Sequence, residues 1–266
     1  MESCTVDPGP RASAALRRAI ERLLASVEKA PQAHIRVEVC SSQVLVDHTA
    51  AKLSNRELEI CLAIAVFHRP VSGETLAGLI FPDLDCDAAL NRIKVYVHRV
   101  REKIAADFIL CNRDGYCFRD GVTIDLDEFE ETVHLLERCA FLSQEDRQRL
   151  HAVLNRLHGR RSASASRWDW FRVTERTIET VASRAAGLLS ADAFERNAIA
   201  ELLDLARLIL QNDPCDEQAR EIAIKAHLAA GRPTQAMSEF RHYEAFLARD
   251  LQATPSPHLR KLLQSA

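Results

Sequence analysis

The spacing of apolar residues changes character twice along this chain. Residues 1–10 hold Pro8, Gly9 and Pro10 and read as a loose tail, after which the spacing is helical. Leu16, Ile20, Leu23, Leu24 and Val27 recur every three or four positions, with Arg17, Arg18, Glu21 and Glu28 between them. Pro31 closes this segment, which fits a linker helix, a dimerisation helix or the remnant of an upstream domain. From His34 the period becomes two. Ile35, Val37 and Val39 alternate with Arg36 and Glu38, and Val44-Leu45-Val46 follows Ser41-Ser42, which predicts a hairpin. Ser54 and Asn55 are capping residues for a helix that runs to about Phe67 and stops before Pro70. Ser72 caps a second, short helix with Glu74 in its first turn and Leu76, Leu79 and Ile80 on its apolar face. Pro82 ends it, and a third helix follows over about 87–105. Phe108-Ile109-Leu110 and Tyr116-Cys117-Phe118 read as strands around the turn Asn112-Arg113-Asp114-Gly115. After Asp120 the period is helical throughout, over about 127–139, 144–158, 168–190, 195–211, 216–230 and 233–250. The small, polar and basic run 159–167 reads as a flexible loop. The expected fold is therefore mainly α with small β hairpins. It divides into a tail and helix (1–33), a mixed domain (34–122) and an all-helical domain (123–266).

The third helix carries the sharpest chemistry. Projected at about 100° per residue, Leu90, Ile93, Val97, Val100 and Ile104 form one stripe that faces a core. Asn91, Arg92, Val95 and Arg99 fall opposite, flanked by Lys94, Tyr96, His98, Arg101 and Lys103. A helix that reads the major groove needs one anchored face and one that offers fork-shaped donors, an amide and an apolar contact. Its flanks need cations for phosphates. An ordinary amphipathic helix with a solvated basic face has the same pattern, and Glu102, which lies on the exposed side and repels phosphate, favours that reading. Arg113, at the tip of the second hairpin, is placed for the minor groove or the backbone.

Charge supports the first reading. The chain has 266 residues and a formal net charge of -3, which does not advertise a nucleic-acid binder. From Asn91 to Arg119, however, seven basic residues stand against three acidic ones, a local +4. Hydrophobic residues at 47% and charged residues at 27% are the composition of a globular protein. No positive patch precedes an apolar run at the N-terminus, and no stretch approaches the roughly 18 apolar residues of a membrane span. These features lead to an expectation of a cytoplasmic protein with no membrane partner. None of the eight cysteines forms a Cys-x-x-Cys pair. Cys111 and Cys117 flank the second turn and stand to face each other across it, as reduced thiols in a cytosolic protein.

Catalysis finds no support. The ten histidines are scattered, no histidine–carboxylate motif has metal spacing, and eight glycines build neither a Walker loop nor a dinucleotide fingerprint. The expectation is a non-enzyme without catalytic residues, metal or cofactor.

Four segments together resemble the OmpR/PhoB-type winged helix across about 34–120. They are Leu53-Ser54-Asn55-Arg56-Glu57-Leu58-Glu59, Val71-Ser72-Gly73-Glu74-Thr75-Leu76, the run from Ala89 to Ile104, and Asn112-Arg113-Asp114-Gly115-Tyr116. The resemblance implies that the third helix enters the major groove of double-stranded DNA. It places Arg92, Val95 and Arg99 toward bases with Asn91 beside them, Tyr96 and Arg101 toward phosphates, and Arg113 as the wing arginine. The wing turn is a residue shorter than the family's usual one.

In the helical half, Asp213-Pro214 and Gly231-Arg232-Pro233 break successive helices. Ala226, Ala229, Ala230 and Ala236 put small residues where helices approach, and Phe240, Tyr243 and Phe246 fill the gaps. Tetratricopeptide repeats have this pattern, as does a plain helical bundle. Trp168, Trp170, Asn212-Asp213-Pro214, Leu228-Ala229-Ala230-Gly231-Arg232 and the ending from Leu251 to Pro257 resemble the bacterial transcriptional activation domain. That domain follows a winged helix in antibiotic-regulatory-protein (SARP-type) activators. The resemblance implies binding at promoter repeats as a homodimer or as tandem monomers, with recruitment of RNA polymerase. The alternatives are a protein-binding adaptor that uses the helical domain without specific DNA binding, and a repressor.

Overall fold

The computed structural model describes residues 33–159 and 168–264. The helix expected over 12–29, and all but the first residue of the loop expected over 159–167, lie outside them. From Ile35 onward the chain forms one compact unit.

The alternating segment forms the predicted hairpin. Strands β1 (Ile35–Glu38) and β2 (Gln43–Val46) pair antiparallel, with Ile35 opposite Val46 and Val37 opposite Val44. Ile35, Val37 and Val44 are buried beneath the sheet. Strand β3 (Thr49–Ala50) adds to β2. Three helices follow, each opened by the side chain its sequence supplies. For α1 (Asn55–Val66) it is Ser54, in a capping box in which Glu57 Oε2 accepts from the Ser54 amide at 2.6 Å. For α2 (Gly73–Ile80) it is Ser72, which accepts from Thr75 N at 3.1 Å. For α3 (Cys86–Lys103) it is Asp85, which accepts from Ala88 N at 2.9 Å. The second hairpin pairs β4 (Ile109–Asn112) with β5 (Gly115–Phe118). Its register sets Cys111 opposite Tyr116 and Cys117 opposite Leu110. The two thiols therefore point to opposite faces of the ribbon rather than at each other, because side chains alternate along a strand. Both are free.

The periodicity shows neither of the two-residue strands, β3 and β6 (Thr123–Ile124). Strand β6 pairs in parallel with β1 and completes a sheet of order β3-β2-β1-β6. Two residues are too few to display a period. Helix α4 (Asp125–Leu136) leaves directly from this strand. The helices α5 (Gln144–Gly159), α6 (Arg172–Glu195), α7 (Ile199–Asn212), α8 (Glu217–Ala229), α9 (Pro233–Asp250) and α10 (Pro257–Gln264) follow. A 3-10 turn at Asp169–Phe171 leads into α6. Consecutive helices from α6 to α9 pack on one another. Gly231, at φ +67, turns the chain out of α8 in a conformation that costs glycine least, and Pro233 starts α9 with a preset φ. Ala226 and Ala236 are buried where α8 meets α9, but Ala229 is exposed. The short α10 was not anticipated. Its buried Leu259 joins Ile224, Phe240, Tyr243 and Leu247 in a cluster of its own. Among the described residues no helix is long and apolar enough to cross a membrane.

One buried cluster extends from Ile35 in the sheet, through Leu62, Leu76 and Ile93, to Val133, Leu154, Val181 and Ala223 in the helices. Polar ties follow the same seam. Arg36 Nη1 lies 2.6 Å from Glu128 Oε2, and Arg156 Nη2 lies 3.6 Å from Glu38 Oε1. The Asp125 carboxylate accepts from the amides of Val39 at 2.7 Å and Cys40 at 3.3 Å. Burial pushes this carboxyl up to about 6, although the two amides favour its charged form. A folded-state pKa above the unfolded one contributes stability on the acid side, which is lost as pH rises through about 6. An Asp125→Asn chain should therefore gain on the wild type between about pH 4 and about pH 7, on top of a constant loss from the weaker acceptor. Urea unfolding across that range measures the difference; a pH-independent offset would refute it.

Candidate nucleic-acid interface

Helix α3 is held on its core side by Ala89, Ile93, Val97 and Val100, all buried at the expected three- and four-residue spacing. That anchoring decides which residues face out. Asn91, Val95, His98 and Glu102 form the line opposite the core, all exposed, with Val95 at 48%. On one side of this line lie Arg92 and Arg99, and on the other Lys94, all exposed. Tyr96 is half-buried. It stacks on Phe81 with ring centroids 5.9 Å apart, and the Arg99 guanidinium lies over the Tyr96 ring, 5.4 Å from its centroid. Arg92 sits 5.8 Å from the Phe81 ring. Aromatic rings thus steady both guanidiniums, and among the described residues no carboxylate pairs with either, so their forks remain available.

Two of the expected flanking cations are tied into the fold. Lys103 reaches back to the capping-box residue Glu57, Nζ to Oε2, at 2.6 Å. Arg101 is half-buried and donates through Nε to the Ile109 carbonyl at 2.8 Å, which fixes the start of the wing to the end of α3. Burial alone would raise the Glu57 carboxyl, but the hydrogen bonds from Lys103 and Ser54 hold it below its ordinary value. The projection missed both roles because it shows direction from the axis and not which neighbouring element stands there. His98 lies beside Glu102, Nε2 to Oε1, at 3.4 Å one turn on.

The wing is built by local chemistry and one long-range bridge. Asn112 Oδ1 accepts from the amides of Asp114 at 2.9 Å and Gly115 at 3.0 Å, which shapes the turn and leaves Arg113 exposed at its tip. Among the described residues neither Arg113 nor Lys94 has an ion-pair partner. Val71 and Tyr116 exchange both backbone hydrogen bonds, at 2.9 and 2.8 Å, and dock the wing beside the start of α2. Gly115 permits this approach. Its φ is +132, and a Cβ there would lie 2.2 Å from the Val71 carbonyl oxygen.

The family model described as bacterial transcriptional activator domain matches residues 124–265. The chain belongs to the bacterial transcriptional activator domain family. The matched region begins at β6 and follows a winged-helix fold, which is the SARP-type arrangement. No curated protein matches the sequence. Among solved structures the chain is similar to Mycobacterium tuberculosis EmbR in complex with a low-affinity phosphopeptide, with a TM-score of 0.69 and 18% identity. The likeness covers 87% of this chain and 64% of that one, so the chain spans less than two thirds of the EmbR chain. The shared feature is the fold. Within the activator domain Trp168 and Trp170 stack at 5.8 Å, nearly parallel, and Trp170 Nε1 donates to Glu59 of α1 at 3.4 Å.

The two structural roles make separate predictions. Lys103→Ala leaves a carboxylate of 2% exposure without its cation, and should cost about 1–2 kcal/mol of stability at neutral pH, discounted for the exposed lysine. Glu57 has a depressed folded pKa, so this penalty shrinks as pH falls through the carboxylate range; a penalty that stays constant in denaturant titrations would exclude the pair as its cause. Gly115→Ala should cost about 2–4 kcal/mol through strain and overlap, and should deprotect the Val71 and Tyr116 amides in hydrogen exchange. Protection equal to wild type would refute the tight approach.

Proposed function

We propose that this chain is a sequence-specific regulator of double-stranded DNA, an activator that binds promoter repeats and recruits RNA polymerase through its helical domain. It works in the cytoplasm, as a homodimer or as tandem monomers on DNA. The observation that carries the reading is the outward face of α3. An amide (Asn91), an apolar group at 48% exposure (Val95) and steadied guanidiniums (Arg92 and Arg99) share one accessible surface. These groups match adenine edges, thymine methyls and guanines in the major groove. Lys94 and Arg113 serve phosphates, Arg113 from the wing tip. Tyr96, Arg101 and Lys103 lie at the edges of this surface and support it by holding α3, Phe81, the wing and α1 in register. Domains for DNA (34–122) and for partners (123–266) divide the work.

Selection of the purified chain on a random duplex library at two salt concentrations tests this. Enrichment of a short motif, repeated at fixed spacing if two subunits bind, supports it. Weak binding without enrichment that vanishes at higher salt would sink it in favour of the adaptor reading. On the selected duplex, Arg99→Ala should cost about 1–3 kcal/mol and blur preference at its base. Lys94→Ala should weaken all sequences alike and reduce the slope of log affinity against log salt by about one.

A further inference from the structure

On the flank of α3 away from the wing, a cleft of about 650 Å³ opens between the end of α2 and the turn that leads into α6. That volume lies in the range of small-molecule sites, roughly 300–1,000 Å³. Its walls are aromatic. Phe81 and Tyr96 stack on one side, and Trp168 and Trp170, both half-buried, form a parallel pair on the other. Two guanidiniums line it, in different states. Arg56 is engaged by the fold, through Glu59 Oε2 at 2.6 Å and the Ile80 carbonyl at 3.1 Å. Arg92 is exposed and, among the described residues, makes no ion pair. The carboxylates do not fill the cleft. Glu59 is buried between Arg56 and the Trp170 indole, while Asp83 and Asp169 are exposed, Asp169 lying 3.6 Å from Arg172.

Half-buried indole faces take a flat ring by stacking, and an unpaired guanidinium takes a carboxylate through two parallel N–H donors. A ligand that uses both is planar, aromatic and anionic. A cation meets two guanidiniums, and an aliphatic chain leaves the stacking faces unused. We propose that this cleft is an effector site for a planar aromatic carboxylate, with Arg92 as its anion anchor and Trp168 and Trp170 as its stacking wall. Arg92 also borders the outward line of α3, so occupancy draws it away from DNA. That coupling rests on the DNA-binding reading, whereas the site itself does not.

The chain has two tryptophans, both in this cleft, so 5-fluorotryptophan labelling gives two fluorine resonances that report on it alone. Titration of the labelled protein with 2-naphthoate, without DNA, should shift both resonances to saturation. The uncharged 2-naphthamide and the exposed substitution Arg92→Gln should each weaken binding about tenfold, with Arg92→Lys in between, as the loss of a charge-assisted pair requires. No saturable shift, or equal affinity for acid and amide, would overturn the site. Saturating 2-naphthoate should lower affinity for the selected duplex at least about threefold by linkage. Binding of 2-naphthoate with unchanged duplex affinity would overturn the effector role.

Discussion

The arrangement depends on how the chain leaves the sheet. β6 lies parallel to β1 for two residues, and the next residue, Asp125, turns its carboxylate onto the amides of Val39 and Cys40 beyond the end of that strand. A helix, a strand and a loop are thus locked at one point. Burying a carboxylate is unfavourable unless donors surround it, and here two backbone amides offset part of that cost. The consequence is geometric. The helical half cannot rotate about a free linker, because its first helix leaves from the sheet itself. The Arg36–Glu128 and Arg156–Glu38 pairs and the continuous apolar cluster hold the same orientation along the seam.

Within that frame, α3 distributes its cations between folding and recognition. Lys103 and Arg101 face neighbouring elements and are drawn to Glu57 and the Ile109 carbonyl. Arg92 and Arg99 face aromatic rings, which order a guanidinium without neutralising it. Lys94 and Arg113 face solvent. A basic helix is therefore not uniformly available to a polyanion. The partner of each cation is set by the element its side chain leans against. Glu102, which counts against phosphate in the sequence, has a partner of matching reach in His98.

The elements were readable wherever local chemistry dominates. The capping serines at 54 and 72, the prolines at 70, 82 and 233, and the alternation through Ile35 and Val37 each act within a few residues, and the observed boundaries follow them closely. The core stripe Ile93, Val97 and Val100 was readable for the same reason, since a helix of fixed pitch leaves those positions no other direction. Features that depend on a distant residue were not readable. β6 exists because β1 offers an open edge, and the docked wing exists because Gly115 can approach Val71. Cys111 and Cys117 are reduced but do not face each other, because register, and not proximity in sequence, decides which strand positions share a face.

Pitch, alternation and capping thus suffice for the succession of elements, the anchored face of α3 and the position of Arg113 at a turn. Packing across the chain sets which described cations stand without an ion pair, where the helical half is fastened, and that Trp168 and Trp170 stand across a cleft from Phe81 and Tyr96. Those outcomes join residues that lie from tens to more than a hundred positions apart, and no local periodicity carries information across that distance.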